Sequence, residues 1–357
     1  MRNSLELYPW QKTSWSKLEQ SSHRLPHALL LCGREGIGKK RFATRLAMSV
    51  LCESEGIQVC GKCMNCSLFV SSTHPDLHII TSEAALNATE QSLVPYAERF
   101  LDDAKDRSRR KTQRSVIIID QIRALIDQAS ASSHISKNKV FIIFPADAMN
   151  MNSANSLLKV LEEPADNNFL ILITDDVQSL LPTIASRCQK IGLANPTDQE
   201  SQQWLQESGV SQSDIDMILS SNTAPLVGFN SVKDKTLTAS NLFMRAVIGC
   251  INGNSNTDAL EIAQLGIQLG ENECLITLQK FLHKVAASQA MCASGASNEE
   301  SELKSLSDSL DKRKLFAVYD QIGQMRRQMK DGSLNKQLMI EEIVLNIADL
   351  RAQASTP

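Results

Sequence analysis

At 357 residues, with 42% of them hydrophobic, the chain has room for roughly two to three domains with sizeable cores, which excludes disorder throughout. Its 37 basic and 40 acidic side chains leave a net charge of −3, so no global charge marks a nucleic-acid coat or an acidic tail. No run approaches the ~18 apolar residues that span a bilayer, and residues 1–11 lack a basic stretch followed by an apolar one, so the expectation is a cytoplasmic protein without a membrane partner.

Along the first 190 residues, short apolar runs rich in β-branched residues alternate with helical stretches. The runs are Ala28–Cys32, Leu77–Ile80, 116–119, 140–144 and 169–173, and helices are predicted over Lys39–Leu51, 121–132 and 152–162. Short strands apolar on both faces, alternating with helices, predict an α/β fold with a parallel sheet covered on both sides. Asp120 reads as the N-cap of the second helix, and Pro164 ends the third. Residues 195–236, which open after Asn195-Pro196, read as a small helical domain. Nine of the ten prolines lie at or before Pro225, and 226–356 has none. There Ile340, Ile343, Val344, Ile347 and Leu350 recur at helical spacing, with similar stripes over 260–269 and 275–282. Turns are expected at 252–256 and 293–301. The division is therefore 1–194, 195–236 and an all-helical 237–357.

After the first strand comes Gly33-Arg34-Glu35-Gly36-Ile37-Gly38-Lys39-Lys40. A phosphate loop reads G-x-x-x-x-G-K-[ST] between a strand and a helix, and seven of its eight positions match. Gly33, Gly36 and Gly38 allow backbone N–H groups to converge on phosphate oxygens, and Lys39 would add charge. The alternative is a plain glycine turn. The mismatch is informative: Lys40 stands where a hydroxyl should ligate Mg²⁺. A partner strand ending in carboxylates is also expected, yet the candidate strand ends Ile143-Phe144-Pro145, and neither Phe144 nor Pro145 can bind a metal or accept a proton. Hydrolysis is not expected here.

Nine cysteines in a chain expected to be cytoplasmic do not suggest a disulfide framework. Four of them, Cys52, Cys60, Cys63 and Cys66, follow C-x7-C-x2-C-x2-C. Four thiolates form the closed arrangement of structural zinc, and so short a module needs metal to fold. An iron–sulfur cluster or redox thiols are the other uses of such a set. His74 is close in sequence, but four cysteines leave it no coordination position. The basic stretch 105–114 allows either a DNA-backbone contact or a solvated loop balanced by Glu98, Asp102 and Asp103.

With these features placed, the sequence resembles the delta-prime family of bacterial DNA polymerase III clamp-loader subunits, which belong to the AAA+ class. The resemblance rests on Tyr8-Pro9-Trp10-Gln11, His27-Ala28-Leu29-Leu30-Leu31, the altered phosphate loop, the four cysteines, His74-Pro75-Asp76 and Ile119-Asp120-Gln121-Ile122-Arg123. It continues through Ala154-Asn155-Ser156-Leu157-Leu158-Lys159, Leu161-Glu162-Glu163-Pro164, Leu181-Pro182-Thr183-Ile184 and Ser186-Arg187-Cys188. Asn335, Gln337, Leu338 and Glu341 match its last helix. Segment 82–114 is longer than the family usually carries.

The resemblance implies a Rossmann-like AAA+ sheet domain, a small helical lid and a helical collar that joins a hetero-pentamer with the motor subunits and delta. It implies a part in loading the sliding clamp onto primed DNA as a subunit of the polymerase holoenzyme, without ATPase activity of its own. Arg187 then reaches in trans into a neighbour's ATP site, where a permanently charged fork suits the γ-phosphate. Thr174 occupies the first sensor position, and 221–226 contains no second sensor arginine. The competing classes are an active motor ATPase and a free-standing zinc-containing nucleic-acid-binding protein. Whether Gly33–Lys39 still holds a nucleotide stays open.

Overall fold

The computed structural model describes residues 6–20, 25–87, 89–103, 106–107, 113–252, 259–290, 306–307, 309–329 and 336–350. The chain divides into two compact units, 1–229 and 230–357. The first is built on five parallel strands in the order β2-β3-β4-β1-β5: β1 (Ala28–Cys32), β2 (Leu77–Ile80), β3 (Lys139–Ile143), β4 (Asn168–Thr174) and β5 (Gln189–Gly192). This is the fold class that the AAA+ resemblance implied.

Alternation along each strand sends side chains to two cores. Leu29, Leu31, Leu77, Ile79, Val140, Ile142, Ile171 and Ile173 face Phe42 and Leu46 of the helix Lys39–Leu51 on one side. Leu30, Ile80, Phe141, Ile143, Leu170 and Leu172 face Ile122, Leu125, Leu157 and Leu161 of the helices Ile119–Ser130 and Met151–Glu162 on the other. Burial on both faces is why these strands read as unbroken apolar runs.

Two expectations are corrected. Residues 116–119 form no strand: Ile117 makes only an isolated parallel bridge to Met149, and the helix begins at Ile119. Gln121 Oε1 accepts the Ile118 N–H at 3.0 Å, so Asp120 is not the N-cap but lies in the first turn, paired with Arg123 at 3.1 Å. The strand that occupies the fifth position is β5, whose Gln189, Lys190 and Gly192 are exposed. It pairs with β1 alone, and an open edge needs no apolar signature.

His74-Pro75-Asp76 has a structural role. The Asp76 carboxylate is fully buried and accepts the N–H groups of His134, Ile135 and Ser136 at 2.7, 2.9 and 2.9 Å. Burial alone would raise its pKa, but these three donors outweigh that and hold it below the ordinary carboxylate value. A lowered folded value means the contribution is fully present above the ordinary carboxylate pKa and is lost as pH falls through the folded one. Asp76→Asn is therefore expected to cost about 2–3 kcal/mol in urea unfolding at neutral pH. The difference from the parent should shrink on acidification below the carboxylate range; a constant difference would remove the charge from the explanation.

In the second unit, the described helices are Thr236–Ile251, Ala259–Leu269, Glu271–Ala290, Lys312–Met329 and Lys336–Ala348. Ile340, Ile343, Val344, Ile347 and Leu350 lie in its core with Phe243, Leu278 and Ile322, as their spacing predicts. Of the turn expected at 252–256 only Asn252 is described; the turn expected at 293–301, Asn335 and Cys292 lie outside the described residues.

Candidate functional site

The loop Gly33–Lys40 leaves β1 and opens the helix Lys39–Leu51, as the motif requires. Gly36 and Gly38 take φ of 79° and 86°, a left-handed backbone that side chains other than glycine rarely adopt. Space forbids a Cβ as well. At Gly38 it would lie 2.5 Å from the Tyr8 ring, and at Gly36 it would lie 2.6 Å from Val227 Cγ2. The loop is thus covered from two directions. Trp10 Nε1 donates to Ile37 O at 2.9 Å, and Gln11 Nε2 donates to Ile37 O and Gly38 O, both at 2.9 Å. Tyr8 stacks on Trp10 with centroids 5.0 Å apart, and Trp204 meets both rings edge-on. On the other side, Arg34 donates to Asn222 Oδ1 at 3.1 Å and to its carbonyl, and Leu226 N–H reaches Gly36 O at 3.3 Å. Segment 221–226, where a sensor arginine was missing, instead lids the loop with backbone and small side chains. Trp204 was not singled out from the sequence, because a lone tryptophan on a polar helix carries no motif.

The loop cations are committed within the fold. Lys39 is 5% exposed, and its Nζ donates to Gly33 O at 2.6 Å and Arg34 O at 2.7 Å and pairs with Asp175 at 2.5 Å. An ammonium has three donors, and all three are taken. Lys40 Nζ lies 4.7 Å from the centroid of the Phe144 ring, a cation–π distance. Desolvation by burial pushes its pKa down, against the pull of Asp175 and Glu35. Lys40 and Phe144 are therefore packed on each other. Asp147, three residues past Phe144, points elsewhere: Thr174 Oγ1 lies 2.9 Å from its Oδ1 and 2.8 Å from Asp176 O. Thr174 pins the end of β4.

Cys52 is the C-cap of the helix Lys39–Leu51, and Cys63 is the N-cap of Met64–Val70. Two helix ends and the turn between them bring Cys52, Cys60, Cys63 and Cys66 together, with all four sulfurs within 4.8 Å of one another. Sγ separations are 3.9 Å for Cys52–Cys63, 3.9 Å for Cys60–Cys66 and 3.6 Å for Cys52–Cys66. Zn–S bonds of about 2.3 Å in a tetrahedron require sulfur–sulfur edges of about 3.8 Å, so the set fits that ion. Backbone N–H groups complete the cradle. Lys62 and Cys63 donate to Cys60 Sγ at 3.4 Å, and Cys60 and Cys66 donate to Cys52 and Cys63 Sγ at the same distance. The N–H groups of Lys62 and Cys63 bring the Cys60 thiol down to about 6. Burial pushes the Cys66 thiol up. The cluster can bind a metal ion. His74 is not one of its ligands: it is fully buried, and its Nδ1 accepts the Asp76 N–H at 3.1 Å.

Arg187 ends the helix Pro182–Arg187 with its side chain 37% exposed. It donates to Thr183 O at 3.1 Å and pairs with Glu162 Oε1 at 2.5 Å, which joins the Ser-Arg-Cys and Leu-Glu-Glu-Pro elements in space. Cys188 beside it is buried, and burial pushes its thiol up to about 11, so it is inert. In the basic stretch, Lys105 and 108–112 lie outside the described residues; Arg107 pairs with Glu98 at 3.0 Å and Arg114 with Asp102 at 3.1 Å. Those two pairs match the balanced-loop reading.

The family model for DNA polymerase III, delta subunit, matches residues 10–197, more than half of the chain. The chain belongs to this family. It is 34% identical over 201 residues to the DNA polymerase III subunit delta' of Pseudomonas aeruginosa, covering 56% of this chain and 52% of that protein. To the delta' subunit of Bacillus subtilis it is 37% identical over 168 residues, 47% of this chain and 42% of the relative. To that of Haemophilus influenzae it is 28% identical over 246 residues, 67% and 65% respectively. In the first of these comparisons the chain spans about half the relative's length. All the matched phosphate-loop, cysteine and Ser-Arg-Cys positions fall within 10–197.

Proposed function

We propose that this chain is a clamp-loader subunit of the delta-prime type that does not hydrolyse ATP and completes the ATP site of a neighbouring subunit with Arg187. The partners are the motor subunits and delta in a hetero-pentamer, with the sliding clamp and primed DNA met through that complex. The domain division goes with this reading: 1–194 as the AAA+ domain, 195–236 as the lid and 237–357 as the collar. The four cysteines would hold a structural Zn²⁺. When bound, the ion supplies the folding energy that a module of this size cannot draw from a core.

One observation carries the non-hydrolysing part: Lys40 over Phe144. A loop NTPase needs a hydroxyl and a carboxylate on Mg²⁺ at these two positions. An ammonium on an aromatic ring repels a divalent cation and presents no oxygen to it. Lys39, held by two loop carbonyls and Asp175, adds to this, because reaching a phosphate would mean leaving three partners. Purified protein with ATP and Mg²⁺ is expected to release no phosphate above background, and Lys39→Ala should not change that. Turnover that depends on Mg²⁺ and disappears in Lys39→Ala would overturn the reading in favour of a motor subunit.

A further inference from the structure

Segment 82–114 has no part in the reading above, yet its Arg99 and Phe100 line a cleft of about 370 Å³ beside the edge strand β2. Arg99 and Phe100 come from this segment, His78 from β2, Gln128 from the helix Ile119–Ser130, His134 from the loop after it, and Thr73 from the turn before β2. The Arg99 side of the cleft is anchored. Tyr96 is fully buried and its hydroxyl accepts the His74 N–H at 3.1 Å, while Arg99 lies over the Tyr96 ring at 5.0 Å.

Among the described residues the lining is rich in donors and contains no carboxylate. Arg99 makes two long bonds, 3.5 Å each, to the carbonyls of His74 and Leu77, which orient the guanidinium but use only part of its five donors. The buried Asp76 carboxylate is held by the three N–H groups of 134–136. That same contact holds His134 at the rim. Lys139 is drawn away by the carbonyls of Gln128 and Ala131, at 2.6 Å each. At the floor, His78 is 4% exposed, stacked on Phe141 with centroids 4.8 Å apart and edge-on to Phe100 at 5.7 Å. Its Nε2 is buried and has no hydrogen-bond partner. A buried polar atom without a partner is uncommon, and here it belongs to a side chain that lines the cleft beside Arg99, Gln128, His134 and Thr73, each able to donate.

We propose that this cleft binds a small phosphate-class anion, with Arg99 supplying the charge and His78, His134, Gln128 and Thr73 the surrounding hydrogen bonds. The site shares no residue with the phosphate loop and stands independently of the clamp-loader reading. Burial, with the Arg99 charge beside it, brings the His78 imidazole down to about 4. A neutral ring can donate Nε2–H to an anion without placing a second cation in the interior.

The test is a titration of the full chain with sodium pyrophosphate, followed through the imidazole NMR signals of His78 and His134. Both signals are expected to shift saturably. Arg99→Gln and His134→Ala should each weaken the binding by about tenfold, the loss expected from one charged or strong hydrogen-bond partner. Should Arg99→Gln alter the melting temperature, the exposed His134→Ala variant decides. A parallel titration with dAMP separates the two sources of the phosphate group: tighter binding of dAMP assigns a nucleotide, and tighter binding of pyrophosphate a free anion. Shifts that never saturate would overturn the proposal. So would binding that survives Arg99→Gln but is lost in Lys39→Ala, which would move the anion to the phosphate loop.

Discussion

Arg187→Ala, placed in a reconstituted clamp-loader complex, is expected to slow ATP hydrolysis by the neighbouring subunit about 10³-fold while assembly stays intact. A guanidinium on the γ-phosphate stabilises charge that develops only in the transition state, and a loss of that size corresponds to about 4 kcal/mol of barrier. Arg187 is suited to this because it is exposed at a helix end and held by little. Its ion pair with Glu162 is half in solvent, and pairs of that kind contribute no more than about 1 kcal/mol. Releasing Glu162 would therefore cost little. Glu162→Gln should change the rate by less than about threefold, which separates loss of the finger from loss of its resting partner. A complex whose turnover is unchanged by Arg187→Ala would remove the trans role.

Removal of the metal is expected to have the largest effect on stability. One zinc per chain should be found by elemental analysis, and Cys63→Ser or chelation should release it. The cluster closes the end of the helix Lys39–Leu51, and Cys52, Ile57, Cys66 and Phe69 belong to the same core as Leu46 and Ile79. Unfolding of 52–70 would thus strip one end of the sheet's main core. With zinc binding on the order of 10 kcal/mol, even partial coupling should lower the melting temperature by roughly 10 °C in a unit of this size. A Cys63→Ser protein that keeps its zinc and its melting temperature would refute the assignment. Visible absorption from an iron–sulfur cluster would replace zinc with the alternative metal centre.

How far the site could be read from sequence depended on whether its residues are neighbours along the chain. The phosphate loop and the cysteine set were legible because each spans only a short segment, and the turn geometry follows from glycine or cysteine spacing. Lys40 could be recognised as a misfit, but not as the partner of Phe144, which lies more than a hundred residues away. Arg187 and Glu162 were identified within separate motifs, and nothing in either motif says that they touch. Trp204 and the segment around Asn222 and Leu226 close over the loop without any pattern that marks them. The cleft at His78 was the least visible, since it draws on three separate stretches of chain, 73–78, 99–100 and 124–134.

The sequence by itself determined the class of fold, four of the five strands, the helix periods of the second unit, the cysteine set and the departure of Lys40 from the phosphate-loop pattern. These are short-range properties: side-chain alternation, helical spacing and residue identity at fixed offsets. Tertiary structure decided which apolar run is a strand. Residues 116–119 carry the β-branched signature, but Ile118 turns into a helix held by Gln121, whereas the polar β5 is a strand because β1 offers it an open edge. Tertiary structure also decided what the loop cations do. Lys39 and Lys40 have the same side-chain chemistry, yet loop carbonyls and Asp175 turn one into a brace of the loop, while the other lies over the Phe144 ring.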